Sequence, residues 1–178
     1  MLQKDPPPGI AAFLEQDDMS LWRAEIIGPE PFENAVFTVR VQIPPRYPFE
    51  PPLCQFVGKM IPYHPNIDSS GRICLDTLKI QPFGSWSPAV SLPSLLLSLR
   101  SLLADPNPDD GLVAEISSQY KTNPDEWKAE AKRRTKVINT EMINVSHKRL
   151  TEQESVSSDH ENNNHNFKRR KLSPEVGL

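Results

Sequence analysis

Polar and apolar residues alternate most regularly between Phe37 and Ile43, where every second side chain is apolar. Such alternation predicts a strand with one face in a protein core and the other in water. Leu21–Ile27 alternates less regularly and Leu53–Val57 is shorter, but both are typical of strands. Before them, the Pro-rich residues 5–9 predict a turn or an extended connector. The short polar connections between the three strands favour an antiparallel meander.

After Ser91 the apolar residues recur with the spacing of an α-helix, and Ser91 is the predicted N-cap. The apolar positions of this helix are Leu92, Leu95, Leu96, Leu99, Leu102 and Leu103. We expect the helix to end at Asp105-Pro106. A short helix over about Leu112–Tyr120 and a longer, charged helix from Pro124 to about Thr140 should follow. Strands first and helices later predict an α+β domain.

Composition sets the outer limits of this domain. After about residue 144, Ser, Glu, Asn, Asp and His replace apolar residues, so we predict a core domain over 1–144 and a disordered tail over 145–178. The tail contains a basic cluster, Lys168–Lys171, which is read either as a nuclear-import signal or as a solvated charge run.

Several functional classes are disfavoured by the whole chain. The 178 residues carry a net charge of −3, which does not suggest a general nucleic-acid role. No apolar run approaches the roughly 18–20 residues of a membrane helix, and no secretory signal is recognisable, so we expect an intracellular protein with no membrane partner. The two cysteines and four histidines show no zinc-ligand spacing, and no metal site is predicted.

An irregular stretch over 61–88 contains the residues suited to chemistry. Cys74, just after a turn, is either a nucleophile or a buried structural thiol. His64 could serve as its base, but a structural histidine bonded to backbone is favoured in the rigid turn with Pro65. The amide of Asn66 could donate to an oxyanion or brace the loop that supports one. Cys54 lies in a strand and should be a buried hydrophobe.

Five segments together resemble the signature of ubiquitin-conjugating enzymes. In chain order they are Arg46–Pro52, Tyr63–Ile67, Gly71–Asp76, Trp86–Pro88 and Asp105–Asp110. Five motifs in the correct order and spacing are a specific signal, and the resemblance covers about residues 5–140. It implies the α+β fold of that family, a four-stranded antiparallel meander sheet with C-terminal helices.

The resemblance also implies a mechanism. Cys74 would accept ubiquitin as a thioester from the activating enzyme, which uses ATP, and pass it to a substrate lysine with a RING-type ligase; no tightly bound cofactor is expected. Asp110 would orient the lysine, although it could also cap the helix before Leu112. Asn66 would support the oxyanion directly or through its loop, with His64 and Pro65 in structural roles.

Partner-binding residues follow from the same resemblance. Phe49, Pro88 and Ala89 match the two loops that bind the ligase, although Phe49 could equally be an ordinary core residue. Leu112 would help to hold ubiquitin over the thioester. Trp86 is expected to pack in the core.

A finer resemblance points to the T-type members of the family, which act in Fanconi anaemia DNA repair. It rests on Tyr63–Leu78, on the extra residues Lys79–Gly84, and on the basic tail. It implies attachment of single ubiquitins to a nuclear repair substrate, with a Fanconi-type ligase among the candidates. We therefore expect the nucleus, with the cytoplasm as a further location.

Two departures from the family leave alternatives open. Family members begin with an amphipathic helix, whereas only Met1–Lys4 precede the Pro-rich turn here, so we expect a truncated sequence. The segment 57–62 also looks about two residues longer than the T-type pattern. The alternative functions are an impaired variant that acts as a scaffold for ubiquitin or ligase and, far behind, a cysteine hydrolase that uses Cys74 and His64.

Overall fold

A computed structural model describes residues 6–142 of the chain. Residues 1–139 form one compact unit, and of the second unit, 140–178, only residues 140–142 are described. The predicted domain boundary at residue 144, the tail and its basic cluster lie outside the described residues. So do residues 1–5, on which the expectation about the first helix depends.

Four strands form one antiparallel sheet in the order in which they occur in the chain. They are β1 (Ile10–Glu15), β2 (Asp18–Ile27), β3 (Val36–Gln42) and β4 (Leu53–Val57). The predicted meander is therefore confirmed, and the three strands expected from alternation are present.

Strand β1 was not recognised from alternation, because its outward-facing position carries an apolar residue. Ile10 and Ala12 are buried, while Phe13 on the other face is 44% exposed and lies under the guanidinium of Arg23. A tight turn at Gln16 and Asp17, both with positive φ, joins β1 to β2.

Within residues 6–142, three α-helices follow the sheet: α1 (Leu92–Ala104), α2 (Ala114–Thr122) and α3, which is helical over 124–142. Ser91 caps α1 as predicted, since its side chain accepts from the backbone N–H of Ser94. The second helix begins two residues later than predicted, because the N–H groups of Leu112 and Val113 both donate to the carbonyl of Pro65. No helix among residues 6–142 is both long enough and apolar enough to span a membrane.

The core lies between the inner face of the sheet and the helices. An aromatic cluster at its centre places Phe32 edge-on to Phe37 at 5.6 Å and to Trp127 of α3 at 6.2 Å between ring centroids. His64 joins this cluster, with its ring centroid 6.2 Å from that of Trp127. The irregular segment that carries the candidate site is thus anchored in the core through His64.

Helix α1 offers a matched test of this core. Leu99 is fully buried, whereas Leu97 on the same helix is 41% exposed. We expect Leu99→Ala to lower the free energy of unfolding by about 2–5 kcal/mol, because it leaves a cavity among packed side chains. Leu97→Ala should lower it by less than about 1 kcal/mol. Urea unfolding followed by circular dichroism measures both, and equal losses would contradict this placement of α1.

Candidate active site

Cys74 lies at the end of a short backbone ladder inside the irregular segment. Ile67 and Ile73 form an isolated antiparallel bridge, and the N–H of Cys74 donates to the carbonyl of Asn66 at 2.9 Å. The turn before it requires glycine: Gly71 has φ +82°, and a Cβ there would lie 1.9 Å from the carbonyl oxygen of Phe56. The thiol is therefore held at a fixed, partly exposed position.

Asp110 and Lys79 meet the thiol of Cys74. The Cys74 Sγ donates to Asp110 Oδ2 at 3.0 Å, and the same oxygen accepts from Lys79 Nζ at 2.5 Å. Burial, together with the hydrogen bond to Asp110, raises the pKa of the Cys74 thiol, while Lys79 acts in the opposite direction. The thiol is thus protonated at neutral pH.

The charges of the other two groups are fixed by the same contacts. Hydrogen bonds from Cys74 and Lys79 lower the pKa of Asp110, which stays a carboxylate. The hydrogen bond to Asp110 raises the pKa of Lys79, which stays an ammonium group. One anion is therefore shared between a neutral thiol and a cation.

Asn66 is buried and uses its whole side-chain amide to hold the loop that carries Asp110. Its Nδ2 donates to the carbonyls of Asn107 at 2.7 Å and Asp110 at 3.0 Å, and its Oδ1 accepts from the N–H of Asn107 at 2.9 Å. Of the two roles left open by the sequence, bracing a loop is the one that these contacts perform.

His64 has both ring nitrogens engaged by backbone. Nε2 lies 2.8 Å from the carbonyl oxygen of Leu102, and Nδ1 accepts from the N–H of Asn66 at 3.0 Å. Nε2 therefore carries the proton, and burial lowers the pKa of His64 to about 4. A neutral, fully buried imidazole with no free nitrogen does not serve as a base for Cys74.

Asp110 does not cap the following helix, contrary to one reading of the sequence. The N-cap of α2 is Val113, which makes no side-chain capping hydrogen bond. Asn107 caps the short 3-10 turn instead, accepting from the N–H of Asp109 at 3.2 Å. The carboxylate of Asp110 is instead directed to the thiol of Cys74. Leu112, next to this turn, is 43% exposed.

Lys79 was not identified from sequence as a site residue. It begins the extra segment 79–84, which folds back on itself because the N–H groups of Ser85 and Trp86 donate to the carbonyls of Asp76 and Lys79. Gly84 packs so closely there that a Cβ would lie 2.4 Å from that of Lys79. Lys79 and Asp110 are 31 residues apart in the chain, so no local sequence pattern indicates their contact.

A second surface is built around Trp86, which is 4% exposed as expected for a core residue. Its Nε1 donates to the carbonyl of Pro48 at 2.9 Å, and this bond ties the loop after β3 to the loop before α1. Phe49 in the first loop is 71% exposed, so its interpretation as ordinary core is wrong. Pro88 and Ala89 in the second loop are also exposed.

The family whose sequence profile matches residues 1–135 is described as Ubiquitin-conjugating enzyme. The chain belongs to the ubiquitin-conjugating enzyme family. The cysteine-hydrolase alternative is thereby set aside.

Several relatives within this family share the name Ubiquitin-conjugating enzyme E2 T. The mouse (Mus musculus) protein is 42% identical over 180 residues, covering 100% of this chain and 86% of the relative. The human (Homo sapiens) protein is 50% identical over 125 residues, or 69% of this chain, and the match spans 62% of the human protein, less than two thirds of its length. The zebrafish (Danio rerio) protein is 38% identical over 180 residues, covering 100% of this chain and 90% of the relative.

As a ubiquitin-conjugating enzyme, the protein is a transferase of the ubiquitination pathway. Family membership implies three kinds of protein partner: ubiquitin, an activating enzyme and a ligase. Enzymes of this family hold no tightly bound cofactor. Across residues 6–142 no group of three or more His, Cys, Asp or Glu side chains is arranged to hold a metal ion.

Because Asp110 contacts both Cys74 and Lys79, the rate at which the Cys74 thiol is alkylated tests whether the three groups interact. We expect Asp110→Asn to lower the thiol pKa and speed alkylation at pH 8 by roughly two- to fivefold, since Lys79 is then unopposed. Lys79→Gln should slow it by a similar factor. Iodoacetamide labelling followed by peptide mapping gives the rates.

Cys54 serves as the internal reference for this measurement, because burial raises its pKa to about 12. Its labelling should stay slow in every variant. Equal rates at Cys74 in the wild type and both variants would show that the three groups do not interact in solution.

Burial of His64 predicts a loss of stability in mild acid. The pKa of His64 is about 4 in the folded enzyme and near 6.5 when unfolded, so the unfolded chain binds more protons between these values. The free energy of unfolding should therefore fall as pH drops from 6.5 towards 4, by up to about 3 kcal/mol. Urea unfolding at a series of pH values measures the slope. His64→Gln should show a flatter profile above pH 5, and parallel profiles would contradict the assignment.

Proposed function

We propose that this enzyme carries ubiquitin as a thioester on Cys74 and transfers it to a substrate lysine. The observation that carries the proposal is the contact of a partly exposed thiol with the carboxylate of Asp110, next to the ammonium group of Lys79. A thiol supplies the nucleophile for acyl transfer, and a fixed carboxylate at hydrogen-bond distance can orient a second nucleophile.

Loading exchanges one thioester for another. The Cys74 sulfur attacks the carbonyl carbon at the C-terminus of ubiquitin, the new C–S bond forms, and the thiol of the activating enzyme leaves with the proton lost by Cys74. The activating enzyme has already used ATP, so none is needed here. Lys79 supports this step, because its positive charge favours the thiolate form of Cys74.

Acylation of Cys74 changes what Asp110 can bind. The sulfur of a thioester has no proton to donate, so the hydrogen bond from Cys74 to Asp110 Oδ2 is lost on loading. That oxygen then becomes available to accept a hydrogen bond from the amine of an incoming lysine. Asp110 would orient the amine rather than take its proton, because its low pKa makes it a weak base.

Asn66 supports the reaction through the loop. Both protons of its amide are donated to the carbonyls of Asn107 and Asp110, so direct donation to an oxyanion would require breaking one of these bonds. We therefore assign Asn66 the role of fixing Asp110 beside Cys74. Leu112 follows in the same exposed loop, where it can contact the ubiquitin held over the thioester.

A RING-type ligase would bind the surface formed by Phe49, Pro88 and Ala89. An exposed aromatic side chain beside an exposed proline suits an interface anchor, and the Trp86–Pro48 hydrogen bond holds the two loops together. The relatives named Ubiquitin-conjugating enzyme E2 T agree with the T-type resemblance of the sequence. On that resemblance the narrower proposal is single ubiquitin attachment in nuclear DNA repair, with a Fanconi-type ligase. The basic cluster Lys168–Lys171 supports nuclear import.

One observation favours a second candidate, a variant that binds ubiquitin or ligase without efficient transfer. Lys79 lies on the oxygen of Asp110 that an incoming lysine would need. If that ion pair stays closed after loading, the enzyme would retain ubiquitin and act as a scaffold.

The test separates loading from transfer. The purified enzyme and Cys74→Ala are mixed with activating enzyme, ubiquitin and ATP, and then run on non-reducing and reducing gels. We expect a thiol-sensitive band heavier by one ubiquitin that is absent from Cys74→Ala. No such band from a sample shown to be folded would overturn the proposal.

Transfer is measured by adding free lysine to the loaded enzyme. Asp110→Asn should load at least as fast as the wild type but discharge at least roughly tenfold more slowly, as expected for a group that positions a nucleophile. Asp109→Asn, the neighbouring exposed carboxylate, is the matched control and should discharge like the wild type. Normal loading with no discharge from the wild type would favour the scaffold instead.

A further inference from the structure

Strand β1 forms an open edge of the sheet. Within residues 6–142 it pairs with β2 alone, whereas the opposite edge strand, β4, is partly covered by the irregular segment that carries the site. There the N–H of Phe56 donates to the carbonyl of Gly71 at 2.9 Å, and Gln55 forms a bridge with Arg72. The two edges of the sheet are therefore not equivalent, and β1 is the one that is accessible to another strand.

The hydrogen bonds to β2 show which backbone groups of β1 face outward. The N–H of Ile27 donates to the carbonyl of Gly9 at 2.8 Å. In an antiparallel ladder, hydrogen-bonded pairs recur at every second residue, so the next residues of β1 bonded to β2 are Ala11 and Phe13. The residues between them turn their N–H and carbonyl groups to the open edge.

The outward-facing residues of this edge are Ile10, Ala12 and Leu14. The N–H of Ile10 is already used, since it donates to the carbonyl of Pro7 at 3.0 Å. The carbonyl of Ile10 and both backbone groups of Ala12 and Leu14 have no hydrogen-bond partner among the described residues. A row of such groups is a template on which a further strand can pair.

The side chains along this edge do not oppose pairing. Natural edge strands are commonly protected by charged residues, prolines or bulges. Ile10–Leu14 contains neither a charged residue nor a proline. The irregularity in its pairing with β2 comes only at the end of the strand, between Leu14 and Glu15.

An apolar groove borders the same edge. It is lined by apolar side chains from the sheet and from α1, namely Ala12, Trp22, Val41, Leu92, Leu95 and Leu96. Leu14 lies in the same cross-strand row as Trp22 and Val41 and is only half-buried. A strand added at this edge would place its own inward-facing side chains next to the groove.

We propose that β1 pairs with β1 of a second copy of this chain, which joins two four-stranded sheets into one continuous antiparallel sheet. A two-fold axis at Ala12 places this residue opposite Ala12 of the second copy, and Leu14 opposite Ile10. The N–H of each Ala12 then donates to the carbonyl of the other, and the N–H of each Leu14 donates to the carbonyl of the opposite Ile10. Every group in these bonds is one that has no partner in the single copy.

The sequence of β1 suits pairing with itself. In this register Phe13 of one copy lies opposite Ala11 of the other, so a large side chain meets a small one, while Ile10 and Leu14 form an apolar pair. Symmetric pairing uses the open edge of both copies, so the assembly closes at two. Because so short a strand buries less than a standard interface, we expect a dissociation constant of roughly 10–100 μM.

Sedimentation velocity of the full chain tests the association. Between about 5 and 500 μM, the average mass should rise towards twice that of the chain. Two double variants test the register. Ala11→Lys with Phe13→Lys places like charges opposite each other across the two copies and should weaken association at least roughly tenfold. Ala11→Lys with Phe13→Glu places opposite charges there and should associate within about threefold of the wild type.

Amide hydrogen exchange followed by NMR tests the pairing without any substitution. The amides of Ala12 and Leu14 should become roughly threefold more protected from low to high concentration. Those of Ala11 and Phe13, which are already bonded to β2, should change by less than about twofold. Thermal unfolding confirms that both double variants fold, and the exchange pattern decides the matter if one does not.

Several outcomes would overturn the proposal. The first is a single-copy mass over the whole concentration range, and the second is growth beyond two copies. Equal association of the two double variants, when both are folded, would exclude this register. Exchange protection that rises at Ala11 and Phe13 rather than at Ala12 and Leu14 would place the contact elsewhere than on the open edge.

Discussion

The side-chain amide of Asn66 joins two segments that lie 41 residues apart, and the site depends on this connection. It makes three hydrogen bonds to the loop over 107–110, while its backbone carbonyl accepts from the N–H of Cys74. The amide is buried, so losing it would leave several backbone groups without partners at a cost of about 1–3 kcal/mol each. The distance between Asp110 and Cys74 is set by these bonds.

A shared carboxylate then decides how the site behaves. Asp110 accepts from both the Cys74 thiol and the Lys79 ammonium, so the thiol rests in its neutral form while the cation keeps a thiolate accessible. In the proposed reaction, acylation of Cys74 would remove the thiol proton and leave the Lys79 ammonium as the remaining one of these two donors to Asp110.

The two faces of the sheet have different surroundings. Its inner face packs against α1 and the aromatic cluster around Trp127, which contains His64 and so fixes the segment leading to Cys74. Its outer face carries the exposed side chains of Arg23 and Arg40, which are cross-strand partners. The two faces can differ in this way because side chains alternate along a strand.

The sequence by itself determined the period of each long element and the order of the motifs. Alternation identified β2, β3 and β4, the leucine spacing identified α1 with its cap at Ser91, and five ordered motifs identified the family, because these are local or ordered patterns. Strand β1 and the start of α2 were decided by tertiary contacts, through an exposed Phe13 and the carbonyl of Pro65. The Lys79–Asp110 pair needed the folded chain, since it joins residues that no local pattern connects.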